Sequence, residues 1–387
     1  MTAPSPETSF LLTLAMLKGV GPAALRKAVR KPAFHQLDLT DLARDIPQIS
    51  RAIKEKGSWE TAQSAAKEQL DKANHYDVRI LSPLDSDYPA LLAGTSDDPL
   101  IIYVRGALHT NPEKSVAIIG TREPTEHGKK IAERVTHFFA SHGWSIVSGL
   151  ALGCDAIAHR AALEMGAHTV AVLAHGLHTV APARHKRLAE EIIHSGGALI
   201  SEYPFGQGIQ KQQYVKRDRT QAGLAQGVVM IQSDHDGGSL HASRAALDYK
   251  RWLAVPFPTA KDLETGEAKI RANLTIANGS DSERATLLRC STAALKHVVV
   301  LRGRDDYFRL ESLMSGKPQN IEAAPPRSDD LLQANDLQLE TSSTEFSPPR
   351  PPLKFSAVHA RRQHISLSGA LCSRPSGYSS RPPAIHS

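Results

Sequence analysis

Two short segments carry the residue types that bind phosphate groups. Gly120-Thr121-Arg122 combines a turn glycine, a hydroxyl group and a guanidinium group, which suits one phosphate. Lys216, Arg217 and Arg219 lie close together in the chain, just upstream of a predicted helix from Gln221 to Gln226. Arginine binds phosphate through a planar fork and stacks on unpaired bases. These segments therefore predict a site for a sugar-phosphate strand.

Two further glycine-rich turns extend this prediction. Gly237-Gly238-Ser239 precedes a predicted helix from His241 to Lys250, whose first N–H groups and positive dipole end suit another phosphate. Gly149 lies in a similar turn that follows an apolar run. A tight turn alone explains any single one of these glycines, but a shared anion-binding crevice explains the set better.

Other side chains near these turns have two interpretations each. The arginines could form ion pairs with Asp218 or Glu202 instead of binding phosphate. Tyr203, Phe205 and Tyr214 could stack on bases, although anchoring of the loop in the core is the favoured interpretation for aromatic residues beside a Pro/Gly loop. The sequence alone leaves both alternatives open.

No set of residues indicates catalysis. Asp155 and His159 are spaced like an acid–base pair, but we interpret them, together with Glu202, as structural residues that brace the turns. There is no nucleophile elbow, no Walker phosphate loop and no G-x-G-x-x-G sequence after the first strand. Three distant cysteines and scattered histidines do not indicate a metal site. We therefore predict a binding protein rather than an enzyme, with no metal and no cofactor.

The glycine-rich turns belong to a repeated unit of a short apolar run, a turn and an amphipathic helix. Apolar runs without alternation are typical of parallel strands that are covered on both faces. The runs are Val116–Ile119, Trp144–Val147, Thr169–Leu173, Ala198–Ile200, Val228–Ile231 and Trp252–Val255. The pattern predicts the α/β class, with a Rossmann-like, doubly wound and mostly parallel sheet whose ligands lie at the carboxyl ends of the strands.

The rest of the chain divides by composition. Residues 1–75 are predicted as a small helical domain, and 76–112 as an extended connector packed on the core, with at least one strand at Leu100–Val104. The Rossmann-like domain is placed at 113–290, and an extra helix or strand at 291–317. Residues 318–387 are predicted as a disordered, basic tail because they are rich in proline and serine. The predicted crevice therefore lies in the central domain.

The first domain contains a sequence typical of a helix-hairpin-helix motif. Gly19 and Gly21 flank Val20, and Pro22 starts the second helix at a position where its missing N–H group costs nothing. In such a motif the hairpin N–H groups contact a DNA phosphate. The equally weighted alternative is a plain helical hairpin whose glycines only form the turn.

Charge is unevenly distributed along the 387 residues. The formal net charge is +6, and six basic residues with no carboxylate side chain lie between Phe346 and Ser387. The preceding part carries 40 basic against 40 acidic side chains, so a nucleic-acid interface there must be a local patch. No membrane span or signal peptide is indicated, and we expect a cytoplasmic location without a membrane partner.

Taken together, the motifs resemble the DNA-processing protein A family, also called DprA or Smf. They occur in the order of that family: Gly120-Thr-Arg122, Ser148-Gly-Leu-Ala-Leu-Gly-Cys-Asp155, Gly196-Gly-Ala-Leu-Ile-Ser-Glu202, Arg217-Asp-Arg219 and Gly238-Ser-Leu240. The resemblance covers roughly residues 76–280. It implies a Rossmann-like domain that binds single-stranded DNA without cutting it. It also implies a homodimer that protects incoming strands in natural transformation and helps to load a RecA-type recombinase.

The sequence departs from the family pattern inside the predicted crevice. Leu152 stands where the family has arginine, and Asp218 stands where it has asparagine between the two arginines. The loss of one cation and the gain of one anion weaken phosphate binding. The tail also lacks the helical periodicity of the winged-helix module that is usual at the C-terminus of the family. We therefore interpret the chain as a divergent member without that module.

A second hypothesis is a nucleotide-binding sensor or a phosphoribohydrolase-like α/β protein that does not bind DNA. The cytokinin-activating phosphoribohydrolases share the sheet and a glycine-rich phosphate loop. Their Pro-Gly-Gly-x-Gly-Thr loop is replaced here by Asp236-Gly-Gly-Ser-Leu-His241. This difference argues against hydrolysis but leaves nucleotide binding open.

Overall fold

The computed structural model describes residues 3–108, 114–303, 306, 309 and 310. Within these residues, a group of helices at the N-terminus precedes one nine-stranded sheet. No helix in the described part is both long enough and apolar enough to span a bilayer. The predicted tail at 318–387 lies outside the described residues.

The N-terminal region of the described chain has five α-helices with a core of their own. They are α1 Pro6–Met16, α2 Pro22–Val29, α3 Leu39–Asp45, α4 Pro47–Ala52 and α5 Ser58–His75. Between α1 and α2, Gly19 has a φ of +84°, which glycine adopts without a steric penalty. Val20 is buried beside Leu14 and Leu25, so the hairpin is anchored by its central side chain.

The strands form one mixed sheet in the order β1-β2-β6-β5-β4-β3-β7-β8-β9. They are β1 Val78–Leu81, β2 Ile102–Gly106, β3 Ser115–Ile119, β4 Ser145–Ser148, β5 Thr169–Leu173, β6 Ala198–Ser201, β7 Gly227–Met230, β8 Trp252–Pro256 and β9 Val298–Leu301. Strands β3 to β9 pair in parallel, whereas β1 and β2 form an antiparallel edge beside β6. The prediction of a Rossmann-like, mostly parallel sheet is confirmed.

The helices after β1 are nine in the part of the chain that the structure describes. They are α6 Ala90–Ala93, α7 Glu126–Ser141, α8 Cys154–Glu164, α9 Lys186–His194, α10 Lys211–Gly223, α11 Leu240–Asp248, α12 Ala260–Glu264, α13 Arg271–Asn278 and α14 Asp281–Leu288. Helix α10 differs most from its prediction, because it begins at Lys211 instead of Gln221. Its first turns are almost wholly polar, so no apolar periodicity reveals them.

The sheet extends beyond the predicted boundaries of the central domain. The segment predicted as a connector supplies β1 and β2, so it forms an edge of the sheet instead of only packing on it. On the other side, residues 292–297 form a 3₁₀ helix that leads into β9. The apolar run after Ala293 is thus a helical turn followed by an edge strand.

The crossover pattern creates a topological switch point at β3. Strands β4, β5 and β6 lie on one side of β3, and β7, β8 and β9 lie on the other. Ala117 and Ile119 pack into one hydrophobic cluster, whereas Val116 and Ile118 pack into another on the opposite face. Both faces of β3 are therefore buried. A crevice at such a point lies at the carboxyl ends of the two diverging strands, here β3 and β7.

Candidate functional site

A cavity of about 430 Å³ opens at this switch point. It lies between the turn after β3, the start of α8, one face of α10 and the loop from β7 to α11. Six residues that the sequence predicts for the site line it: Gly120, Thr121, Arg122, Arg217, Gly238 and Ser239. The structure thus brings together three segments that are far apart in the chain.

Arg217 is the buried cation of this cavity, with a side chain only 5% exposed. Its Nη1 lies 3.4 Å from Oδ2 of Asp155, and its Nε lies 3.3 Å from Oδ1 of Asp218. The Gln221 amide, oriented with its oxygen towards Arg217, accepts a further hydrogen bond from Nε at 3.3 Å. Acceptors on several sides compensate the buried charge and fix the position of the guanidinium group.

The turn after β4 makes room for Arg217. A Cβ atom at Gly149 would overlap the guanidinium group of Arg217, so only glycine fits there. The next residue, Leu150, is fully buried with a left-handed φ of +57°, a conformation that non-glycine residues adopt rarely. Its carbonyl oxygen accepts a hydrogen bond from Nδ1 of His185 at 2.7 Å. Gly149 therefore acts by accommodating the arginine, and it is not among the residues that line the cavity.

Asp155 connects this turn to Arg217. It lies in the first turn of α8 and is buried. Its Oδ2 accepts a hydrogen bond from the backbone N–H of Ala151 at 3.3 Å, and the same oxygen faces Arg217. The residue that the sequence assigns to bracing the turn is thus also the ion-pair partner of the central arginine.

The other two predicted structural residues lie behind the cavity. His159 is fully buried, and its Nδ1 lies 2.8 Å from Oγ1 of Thr169. Burial lowers the pKa of His159 to about 3, with smaller contributions from His185 and Arg217, so its imidazole is neutral. Glu202 accepts a hydrogen bond from the hydroxyl group of Thr220. Burial raises the pKa of Glu202, which the Thr220 hydrogen bond opposes.

Arg122 and Tyr214 lie at the mouth of the cavity. The guanidinium carbon of Arg122 lies 5.3 Å from the centre of the Tyr214 ring, and that of Arg217 lies 5.7 Å from it. A guanidinium group over an aromatic ring is attracted by its π electrons. Arg122 is exposed, so it is the cation that solvent and a ligand reach first.

Asp218 is the acidic residue with the most perturbed ionisation in the cavity. The pKa of Asp218 is raised to about 7, mainly by burial and to a smaller extent by Asp155, whereas the charges of Arg217 and Arg122 oppose the shift. The carboxyl group therefore exchanges its proton at a pH nearer to neutrality than an exposed aspartate does. Its side chain remains 14% exposed, so the cavity reaches it.

The formal charges that line the cavity cancel. The cations are Arg122, Arg217 and Lys269, and the anions are Asp155, Asp218 and Asp234. Two of these residues have ion-pair partners that do not line the cavity. Lys269 Nζ lies 2.8 Å from Glu123, and Asp234 lies 3.9 Å from Arg271. The cavity therefore combines strong local polarity with no net formal charge.

The turn before α11 provides polar groups without charge. Ser239 is the N-cap residue of α11, and its hydroxyl group donates a hydrogen bond to Oγ of Ser233 at 2.8 Å. A Cβ atom at Gly238 would meet no other atom within 4 Å, so the backbone is open to a ligand there. The amino end of a helix favours negatively charged groups.

Two predicted basic residues also lie outside the cavity. Arg219 forms an ion pair with Asp97, which also accepts a hydrogen bond from the hydroxyl group of Tyr249. Lys216 is exposed on the surface of α10. The prediction that placed these residues upstream of a helix is wrong, because α10 begins at Lys211. Residues two apart on a helix project about 200° from each other, so Arg217 and Arg219 cannot serve one site.

The carboxyl end of α10 is fixed by Arg251. Its guanidinium group donates hydrogen bonds to the backbone carbonyl oxygens of Ala222, Gly223 and Ala225, and to that of Leu91. These carbonyls include groups at the end of the helix that have no partner within it. Arg251 thus helps to set the rotation of α10 that points Arg217 into the cavity.

The predicted hairpin contact lies in the N-terminal region. Gly21 is the N-cap residue of α2, and Gly19 lies in the turn before it. Arg26, one of the nearby basic residues, forms an ion pair with Asp98 and donates to the carbonyl oxygen of that residue at 2.7 Å. This arginine is thus engaged with the segment between β1 and β2, while Lys27 is exposed.

Sequence reasoning missed how Tyr214 and Gln221 combine with Arg217. Positions 214, 217, 218 and 221 lie on one face of a helix, and all four line the cavity. This spacing would have revealed the group if the start of α10 had been placed at Lys211. The sequence does not indicate that Lys269 and Asp234 line the cavity. Their segments are distant in the chain from α10, and only the folded structure brings them to it.

The fold and the cavity together define a Rossmann-like α/β protein with an arginine-containing polar crevice at its topological switch point. The family model described as DNA recombination-mediator protein A matches residues 79–281. Protein Smf of Escherichia coli (strain K12) is 37% identical over 191 residues, which are 49% of this chain and 50% of that protein. Protein Smf of Synechocystis sp. is 30% identical over 289 residues, 71% of this chain and 70% of that protein.

The chain therefore belongs to the DNA recombination-mediator protein A family, the DprA/Smf family that the motifs resemble. It spans about half the length of the Escherichia coli relative. The X-ray structure of DprA from Streptococcus pneumoniae has the same fold, with a TM-score of 0.59 and 23% identity over 78% of this chain and 97% of that chain.

Proposed function

We propose that this protein binds single-stranded DNA through the switch-point crevice. The observation that carries the proposal is the meeting of Arg122 and Arg217 at the ring of Tyr214. Proteins that bind single strands combine cations for the backbone with planar groups on which unpaired bases stack. Arg122 at the mouth supplies the exposed cation, and the amino end of α11 supplies N–H groups for a neighbouring phosphate.

The contacts divide into direct and supporting ones. Direct contacts in this proposal come from Arg122, Gly238 and Ser239, with Thr121 beside them. Gly120 and Gly149 allow the backbone turns around the crevice to pack closely against neighbouring groups. Arg217 organises the interior. Lys216 and Arg219 take no part in the crevice. The hairpin at Gly19 and Gly21 remains a separate proposed phosphate contact.

Membership of the family supports a proposal for the wider role. We propose that the protein acts in the cytoplasm as a homodimer, protects incoming single strands in transformation and recombination, and helps to load a RecA-type recombinase. In this proposal the protein binds the strand without cleaving it, and Arg217, held by Asp155 and Asp218, has an organising role. Each of these roles needs its own test with the purified protein.

Titration of a labelled oligo-dT strand across a salt series tests the binding mode. Each neutralised phosphate contributes about −0.7 to the slope of log affinity against log salt. With two phosphates at the mouth, we expect a slope of about −1.4. A duplex of matched length is the control, and we expect it to bind more weakly because its bases cannot enter the crevice. A flat salt response, or tighter binding of the duplex, contradicts the proposal.

A free nucleotide is the second candidate ligand. The cavity volume of about 430 Å³ lies within the usual range of small-molecule pockets, about 300–1,000 Å³. Thermal-shift measurements with nucleotides and with short oligonucleotides separate the two candidates, because a ligand of the native state raises the melting temperature. Stabilisation by mononucleotides alone would favour a nucleotide sensor over a strand-binding protein.

A further inference from the structure

The interior of the cavity is unsuited to a phosphate group. Its buried cation, Arg217, is already satisfied by Asp155, Asp218 and Gln221. A phosphate beside this arginine would also face two carboxyl groups, and like charges repel strongly where water is excluded. The group that enters the interior must therefore be uncharged, polar and able to donate hydrogen bonds. The part of a DNA strand with these properties is the base.

Asp218 gives the interior a chemical preference among bases. Its Oδ1 faces Arg217, and the carboxyl group makes no other hydrogen bond within the described part of the chain. An ionised carboxylate only accepts hydrogen bonds. Guanine, cytosine and adenine carry an amino group on the pairing edge, which is a donor that a carboxylate binds. Thymine has no amino group, and its N3–H lies between two carbonyl oxygens that the carboxylate repels.

We propose that the cavity holds one base of the bound strand and that Asp218 selects a base with an exocyclic amino group over thymine. The phosphates on either side of that base remain at the mouth with Arg122, and the base enters beside Tyr214. This inference rests on the proposed single-stranded DNA binding. It adds a base preference to a site whose backbone contacts are independent of sequence.

Comparison of oligo-dC with oligo-dT of equal length tests the preference in the unmodified full chain. At a pH of about 8.5, Asp218 is ionised, and we expect oligo-dC to bind about tenfold more tightly, as for one well-placed base contact. An oligo-dT strand with a single central guanine should recover most of this gain, because one cavity needs one base. Fluorescence anisotropy at constant salt measures all three affinities.

Two isosteric variants separate base selection from general charge. Asp218→Asn removes the charge and adds an amide that donates to a thymine carbonyl, so oligo-dT should bind as tightly as oligo-dC. Asp234→Asn removes the same charge from the same cavity, but that carboxylate faces Arg271. We expect this control to tighten all strands equally and to keep the preference for oligo-dC.

The outcomes distinguish the two proposals. Equal affinity of the unmodified protein for oligo-dC and oligo-dT overturns base selection and leaves DNA binding intact. Failure to bind any single strand overturns the proposed function instead. A preference that persists in Asp218→Asn, or disappears equally in Asp234→Asn, shows that Asp218 does not make the selection. The measurement on the unmodified chain stands even if a variant fails to fold.

Discussion

The two faces of α10 show how differently neighbouring arginines behave. Arg217 faces the cavity, is 5% exposed and lies between Asp155 and Asp218. Arg219, two residues later, is 33% exposed and pairs with Asp97 on the other side of the helix. Similar residues in one short motif thus have separate tasks. One organises the crevice, and the other attaches the helix to the segment before β2.

The largest effect is expected for Arg217→Ala. Removal of one partner leaves Asp155 and Asp218 buried without compensation, which costs about 3 kcal/mol of the free energy of unfolding. Arg219→Ala removes a partly exposed ion pair, which costs less than about 1 kcal/mol. Urea unfolding measures both values, and oligo-dT affinity should fall only for Arg217→Ala. Equal losses in the two variants would contradict the division between the faces.

Gly149→Ala should move the arginine without removing it. The added methyl group overlaps the guanidinium group, and such overpacking costs about 2 kcal/mol of the free energy of unfolding. We expect a drop in oligo-dT affinity of about tenfold, equivalent to about 1.4 kcal/mol. Gly208→Ala is the matched control, because no atom lies within 4 Å of a Cβ there. An unchanged affinity in Gly149→Ala would show that the position of Arg217 does not matter for binding.

Arg122→Ala and Lys216→Ala compare an exposed cation at the cavity with one on the opposite face. We expect Arg122→Ala to weaken oligo-dT binding about fivefold and to reduce the size of the salt slope by about 0.7, the contribution of one phosphate. Lys216→Ala should change neither quantity. A larger effect of Lys216→Ala would place the DNA strand on the outer face of α10.

The smallest effect concerns the pH dependence of Asp218. Because its pKa is raised to about 7 from an ordinary value of 3.8, the folded protein binds a proton that the unfolded chain releases. This contribution to stability is complete below pH 3.8 and is lost as the pH rises to about 7. Oligo-dT affinity should fall about threefold over the same rise near neutrality, as the carboxyl group beside Arg217 and Arg122, and across from Asp155, becomes charged.

The Asp218→Asn variant isolates this pH dependence. The difference in unfolding free energy between Asp218→Asn and the unmodified protein should change between about pH 4 and 7 and remain constant above that range. The change reflects only the unmodified protein, since the amide does not titrate. A constant difference over the whole range would show that the carboxyl group ionises normally.

The central sheet could be predicted from the sequence because its strands are covered on both faces. The six apolar runs of the repeated unit lie within one residue of the observed strand bounds. A strand is also expected at Leu100–Val104, where β2 Ile102–Gly106 lies. Its antiparallel pairing with β1 and β6 could not be predicted, because pairing between distant segments depends on packing that a single segment does not encode. The placement of Gly120, Gly238 and Arg122 at one cavity followed from the rule that ligands lie at the carboxyl ends of parallel strands.

The interior of the site could be predicted only in part. The sequence offered an ion pair with Asp218 as the alternative for the arginines, and Arg217 does form one. Its second partner, Asp155, precedes it by 62 positions, so only the fold reveals the contact. The polar start of α10 does not reveal the helical spacing, and the sequence motif alone therefore predicts one site for both arginines.

Arg251 lies later in the chain than α10 but fixes the position of that helix. During synthesis, all the crevice side chains of α10 are present once the chain reaches Gly223. The guanidinium group that holds the end of this helix and connects it to Leu91 belongs to a later residue, immediately before β8. A nascent chain that stops before Arg251 has the α10 residues of the crevice but lacks this anchor for their orientation. Assembly of the binding surface is therefore coupled to the arrival of the strand that follows.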